Sequence, residues 1–275
     1  MPGTETPGSP AAGAFRKART GAPPGFFAAE AAGLRWLAVP GGPRVVRVVA
    51  AGESFLDLEH VDRSGPTRGA AHELGRRLAA LHDAGAPAFG ALPPRAGASD
   101  HAWFGPLDDP LPMAGGAWDD WPSFYADARV GPVVATGRER GVLTADDEAA
   151  AARVCARLHD LAGPAADDVP ARLHGDLWSG NVLWARTPDG GTEAVLIDPA
   201  AHGGHRETDL AMLALFGAPH LEEILGGYAE EHPLAPGWQD RVALHQLYPL
   251  AVHAVLFGGS YVRATRSLLA TLAGA

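Results

Sequence analysis

The chain has 275 residues, 47% hydrophobic and 20% charged, enough to bury the core of one large domain or two modest ones. A net charge of −10 speaks against binding a nucleic-acid backbone, and no apolar run reaches the roughly 18 residues that a membrane span needs. Cys155 is the single cysteine, which excludes an internal disulfide or a cysteine-based zinc site, and the N-terminus lacks the basic start and apolar stretch of a secretory signal. A cytoplasmic protein with no nucleic-acid or membrane partner is expected.

The segment up to Ala14 is rich in Gly, Pro, Ala and Thr and reads as loop, with order starting near Phe15. Lys17, in the strand-like piece FRKAR, is the only lysine among 22 basic residues. A coding bias towards arginine accounts for the pattern but not for the exception, and a tight site that demands a point charge is one reason to keep an ammonium. From Phe26 to Ala38, the three- and four-residue steps between Phe27, Glu30, Leu34 and Leu37 predict a helix with Glu30 on or beside its apolar face. PRVVRVVAAG and ESFLDLEHV read as two short strands, completing a small α/β unit. After a polar turn, Leu74, Leu78 and Leu81 form one stripe of a helix that stops at Gly85.

Residues Ala86 to Pro122 crowd Gly, Pro and Trp together, so no regular element is expected there; so long a loop usually serves function, and substrate contacts are expected in it. Thr144 is a predicted N-cap, with Asp146, Asp147 and Glu148 in the first turn of a helix running to Gly163-Pro164, with Cys155 and Leu158 inside. Past Asp168, two apolar segments around a Pro-Asp-Gly-Gly turn predict a β-hairpin with acids at its strand ends. From Thr208 onward the pattern is helical.

The acids around that hairpin carry the chemistry. Asp176 in His174-Gly175-Asp176 is followed five positions later by Asn181 and, after seventeen more, by Asp198. Phosphoryl transfer from ATP needs a base beside the acceptor hydroxyl and Mg²⁺ held against the phosphates. Asp176 fits the base, while Asn181 and Asp198 offer oxygen ligands to a hard cation. Upstream, a kinase needs a strand lysine for the phosphates and a helix glutamate to orient it, and Lys17 and Glu30 follow that order. LDLEH ends a strand where a kinase keeps its hinge, so backbone groups from Glu59 to Val61 are candidates for holding adenine.

HGDLWSGNVLW, VLIDPAAHGGHRETDLAMLALFG and HQLYPLAVHAVLFGGSY together resemble the fructosamine kinase (ketosamine 3-kinase) family of protein-kinase-like phosphotransferases, and the likeness runs from about Phe15 to the C-terminus. The resemblance implies an α+β two-lobe fold, with a small N-lobe over residues 1–61 and a mainly helical C-lobe over 62–275. It implies ATP-dependent phosphorylation of the 3-hydroxyl of a ketosamine, with Asp176 as base, Asn181 and Asp198 holding Mg²⁺, and Lys17 with Glu30 orienting ATP. Trp178 is either an aromatic platform under the sugar or a packing residue, and His205, in the family-specific stretch, is a further substrate candidate. His174 stands behind the loop, and Asp209 either hydrogen-bonds the catalytic loop or caps the helix at Thr208-Asp209. One departure concerns the start. The family carries two strands and a glycine-containing loop ahead of the lysine, whereas sixteen residues with Gly8 and Gly13 precede Lys17, so a shortened or altered phosphate loop is expected.

Two other readings compete. One keeps the reaction but changes the acceptor to an aminoglycoside, choline, homoserine or another small alcohol. The other is a non-catalytic pseudokinase that binds nucleotide or sugar, motivated by the short start.

Overall fold

The computed structural model describes residues 13–95 and 101–274. Gly8 of the expected phosphate loop lies outside the described residues, and Gly13 sits immediately before the first strand. The chain opens with β1 (Ala14–Ala18), α1 (Phe26–Leu37), β2 (Arg44–Val45), β3 (Val48–Ala51) and β4 (Phe55–Glu59). β4 lies between β1 and β3 in an antiparallel sheet, with Lys17 opposite Leu56 and Arg16 opposite Asp57. Leu56 and Leu58 face Phe26, Phe27 and Leu34 of α1, and burying each such side chain is worth about 1.5–3 kcal/mol. Phe27, Glu30 and Leu34 are buried on α1, as the periodicity requires.

The run PRVVRVVAAG forms two strands instead of one. β3 joins β4, while β2 pairs in parallel with β9 (Thr192–Leu196), itself paired with β8 (Val182–Arg186). A run with apolar residues on both faces can serve two sheets, and Val46 packs in one core with Leu58, Ala185 and Val195. The β8–β9 hairpin is therefore stitched directly to the N-terminal unit, across the expected lobe boundary at 61/62.

α2 (Arg68–Asp83) begins at Thr67, whose hydroxyl accepts the Ala70 amide at 3.2 Å. The supposedly irregular segment that follows contains a hairpin, β5 (His101–Phe104) and β6 (Leu111–Ala114). Ala102 and Phe104 face the core with Leu111 and Met113, and this alternation is too short to stand out among the surrounding prolines. Residues 96–100 of that stretch lie outside the described residues. α3 (Trp121–Tyr125) passes through a wider π-helical turn at Ala126–Val130 into α4 (Gly131–Glu139). The helix expected over 145–162 is two, α5 (Ala145–Cys155) and α6 (Leu158–Ala162), parted at Arg157, which leaves helical geometry and bonds the Leu272 carbonyl. Thr144 and Asp147 form a full capping box at the start of α5.

β7 (Ala171–Leu173) leads into the loop that carries His174, Gly175 and Asp176 and pairs with β10 (His202–Gly204). α7 (Glu207–Leu215), α8 (Leu221–Glu231), α9 (Trp238–Phe257) and α10 (Ser260–Ala273) complete the helical body. α2 and α8 meet backbone to backbone: a Cβ on Gly75 would stand 1.9 Å from the Ile224 oxygen, and one on Gly227 2.1 Å from the His72 oxygen. That approach sets Tyr228 of α8 against His82 of α2, with ring centres 5.5 Å apart. No helix among the described residues is long and apolar enough to cross a membrane.

Candidate active site

A cleft of about 460 Å³ opens between the small sheet and the helical body, and its walls include Lys17, Glu30, Asp176, Trp178, Asn181 and Asp198. Residues from position 17 to position 198 thus share one space. β1 delivers Lys17 with its Nζ 2.9 and 3.0 Å from the two Glu30 oxygens and 3.1 Å from Asp198 Oδ1. Burial pushes the Glu30 carboxyl up, Lys17 opposes this, and the Asp198 charge adds to it. Burial also works against the ammonium of Lys17, but Glu30 and Asp198 together hold it above its ordinary value, so it stays charged.

Asp176 lies in the loop between β7 and β8. Gly175 makes the turn with φ +82°, and a Cβ there would stand 2.2 Å from the Ala200 oxygen, so the step into Asp176 requires glycine. Asn181 closes the loop: its Nδ2 donates to the Asp176 carbonyl at 2.8 Å, to Asp176 Oδ2 at 3.0 Å and to the Asp198 carbonyl at 3.4 Å. With the amide nitrogen so engaged, Oδ1 is the atom Asn181 offers to a ligand. Burial pushes the Asp176 carboxyl up to about 8; the Asn181 bond opposes this, and the Asp198 charge adds to it. Asp198 follows β9 with φ +54°, a left-handed conformation that a non-glycine residue adopts at a cost, and its side chain is 40% exposed. Asp198 and Asn181 present only hard oxygens, the donor type that a divalent cation such as Mg²⁺ takes.

Behind the loop, His174 donates from Nε2 to the Ile197 carbonyl at 2.9 Å and accepts the Asp176 amide at Nδ1, tying the ends of β7 and β9 together. Asp209 has no exposed surface, and it accepts the His174 amide at 2.8 Å and the Gly175 amide at 2.9 Å. Burial works against its charge, but these donors and His82 hold it below the usual carboxylate range. Its carboxylate grips the loop backbone rather than ending a helix.

Trp178 projects into the cleft, 38% exposed, with its ring 5.9 Å from Phe216. Phe216, His253, Phe257 and Tyr261 continue an aromatic wall, and Trp103 to Leu107 of the β5–β6 hairpin form the side facing α1. Sequence reasoning assigned none of these individually. The four-residue step from His253 to Phe257 in α9 was the available signal, and only the packing of α9 against α10 gives it a direction.

One expectation is corrected and another narrowed. His205 is buried outside the cleft, packed at a tilt beside Trp121 and His245, with Nε2 3.2 Å from both the Ala165 carbonyl and Asp168, so it cannot touch a substrate in the cleft. The Glu59 amide is spent on the Arg47 carbonyl at 2.9 Å in the β3–β4 ladder and its carboxylate pairs with Arg44, so neither of these groups is offered to adenine. The Val61 side chain packs in the core beneath the small sheet.

The architecture is that of the protein-kinase-like phosphotransferases. A choline kinase from Streptococcus pneumoniae, only 15% identical, matches with a TM-score of 0.51 over 84% of this chain and 75% of its own. Within that class the chain belongs to the fructosamine kinase family, whose profile matches residues 12–274. A crystal structure from Thermobifida fusca assigned as a fructosamine-3-kinase is 44% identical, with a TM-score of 0.84 over 95% of this chain and 86% of that one. A protein of Synechocystis sp. assigned as a ketoamine kinase is 34% identical over 253 residues, 89% of this chain and 77% of the relative.

Proposed function

We propose that this protein transfers the γ-phosphoryl group of ATP to the 3-hydroxyl of a ketoamine, the adduct of a reducing sugar with an amine. The observation that carries the reading is the convergence of Asp176, Asn181, Asp198 and the Lys17–Glu30 pair on one cleft with an aromatic side. Family membership and the ketoamine and fructosamine relatives favour this acceptor over aminoglycosides, choline or a purely binding role.

Lys17, fixed by Glu30, supplies positive charge where the phosphates lie. Asp176 faces the cleft and, in its ionised form, takes the proton of the attacking hydroxyl, and Asn181 holds its carboxylate in one orientation at 3.0 Å. Mg²⁺ bound through Asn181 Oδ1 and Asp198 would neutralise phosphate charge. Trp178 supports the sugar by its ring face, and the wall from Phe216 to Tyr261 excludes water around it. The division into lobes at 61/62 and a cytoplasmic workplace, where ATP is supplied, belong to the same reading.

The test is transfer of labelled γ-phosphate from Mg-ATP to fructosyl-lysine, free amino sugars and aminoglycosides. Phosphorylation of fructosyl-lysine alone supports the proposal, and transfer to aminoglycosides with none to fructosyl-lysine refutes it.

A further inference from the structure

Behind the catalytic loop runs a buried chain of polar side chains that the reaction does not itself touch. His82 Nε2 lies 3.2 Å from Asp209 Oδ2, and His82 Nδ1 lies 2.8 Å from the Tyr228 hydroxyl. Arg206 Nη1 donates to that hydroxyl at 3.0 Å and to Asp83 Oδ1 at 3.0 Å, and Asp83 reaches His232 at the surface. His82 and Tyr228 are buried, and no member of the chain lines the cleft.

Chemistry fixes the direction of every bond. A guanidinium only donates, so the Tyr228 oxygen accepts from Arg206 and points its own proton at His82. A carboxylate only accepts, so His82 must carry its proton on Nε2, facing Asp209. Burial holds the His82 imidazole neutral, leaving Nδ1 as the lone pair that receives the Tyr228 proton.

We propose that His82 and Tyr228 are positioning residues for phosphoryl transfer. The one-way chain Arg206 to Tyr228 to His82 to Asp209 holds the His82 ring so that its Nε2 proton orients the Asp209 carboxylate, which grips the His174 and Gly175 amides and so aims Asp176. Without the Tyr228 hydroxyl, His82 Nδ1 loses the donor that holds the ring in place, and the Nε2 proton is aimed less firmly at the Asp209 carboxylate. This inference rests on the kinase reading of the cleft.

The test uses full-length protein with Mg-ATP and fructosyl-lysine. Tyr228→Phe keeps the ring and removes the proton. Its kcat is expected to fall about tenfold, the scale of a small displacement of a catalytic group, with KM for both substrates within about twofold. His82→Gln, whose amide N–H can still donate to Asp209, is expected to keep kcat within about threefold of wild type, whereas His82→Leu falls at least as far as Tyr228→Phe. Adding Tyr228→Phe to His82→Gln is expected to change little, because the Nδ1 that receives the Tyr228 proton is already gone. Far-UV circular dichroism and melting curves of each variant separate misfolding from misplacement. A folded Tyr228→Phe with wild-type kcat overturns the proposal, as does a double variant whose loss is the product of the singles. Should Tyr228→Phe not fold, equal kcat for His82→Gln and His82→Leu overturns it. An inactive wild type refutes the kinase reading itself, whereas an active wild type with an undiminished Tyr228→Phe refutes only the chain.

Discussion

Asp176→Asn tests two statements about one carboxyl group. The substitution keeps the shape and an oxygen for Asn181 Nδ2, so the loop is retained while the base is lost. Removing a general base costs about 10²–10⁴ in rate, and kcat is expected to fall in that range. The same change is expected to stabilise the fold. In the folded protein the Asp176 carboxyl titrates near 8, and in the unfolded chain near 3.8. Between those values the folded state holds a proton that the unfolded state lacks, so wild-type stability falls as pH rises through that window. The loss is about 1.4 kcal/mol per pH unit, about 4 kcal/mol by pH 7, and Asn escapes it. Melting is to be followed in EDTA at pH 4.5 and pH 8. The variant is expected to gain on the order of 10 °C over wild type at pH 8 and far less at pH 4.5. An equal gain at both values, or none at pH 8, refutes the raised carboxyl; a variant with more than a tenth of wild-type kcat refutes Asp176 as the base.

Lys17→Met leaves Glu30 and Asp198 without their cation, and breaking such a buried pair costs about 3–5 kcal/mol. Adding Glu30→Gln is expected to recover part of this in urea denaturation, since it removes the stranded charge. Trp178→Ala is expected to raise the acceptor KM by about fivefold to tenfold, the equivalent of one aromatic contact of about 1 kcal/mol, with KM for ATP unchanged in steady-state assays. Buried His202 and His245 titrate near 3 and 4 in the fold, against 6.5 when unfolded, so their contribution is complete above pH 6.5 and lost as pH falls below it. Measured on the Asp176→Asn protein, which lacks the opposing slope, lowering pH from 6.5 to 5 is expected to cost about 4 kcal/mol in urea titrations.

The sequence was most legible where the chain builds the site locally. Asp176, Asn181 and Asp198 belong to one loop and one hairpin, and Lys17 and Glu30 to one strand and the helix after it, so spacing along the chain nearly equals placement in space. Legibility failed where a polar residue is placed by distant packing. His205 looks available in a polar stretch, yet Trp121 and His245 enclose it from α3 and α9. The Glu59 amide looks free at a strand end until β3 comes alongside to take it. The wall from Trp103 to Leu107 was anticipated only as a region, because two four-residue strands leave too few alternating positions to reveal themselves. Asp209 was narrowed to two roles, but its donor His82 stands 127 residues away and no periodicity connects them.

The two aspartates flanking the catalytic loop show what decides charge in this interior. Asp209 is the more deeply buried and yet the more firmly ionised, because the His174 amide, the Gly175 amide and His82 all aim protons at it. Asp176 retains contact with the cleft but has a single side-chain donor, Asn181, and a second negative charge at Asp198 beside it, so its carboxyl holds a proton far more tightly. Donor supply, more than depth, separates the two, and such opposite environments would let one fold give one carboxyl to structure and, in the proposed reaction, one to proton transfer. The arrangement also places the burden on different sides: Asp209 strengthens the fold by keeping its charge, whereas Asp176 weakens it as pH rises and its carboxyl is driven to ionise without enough donors.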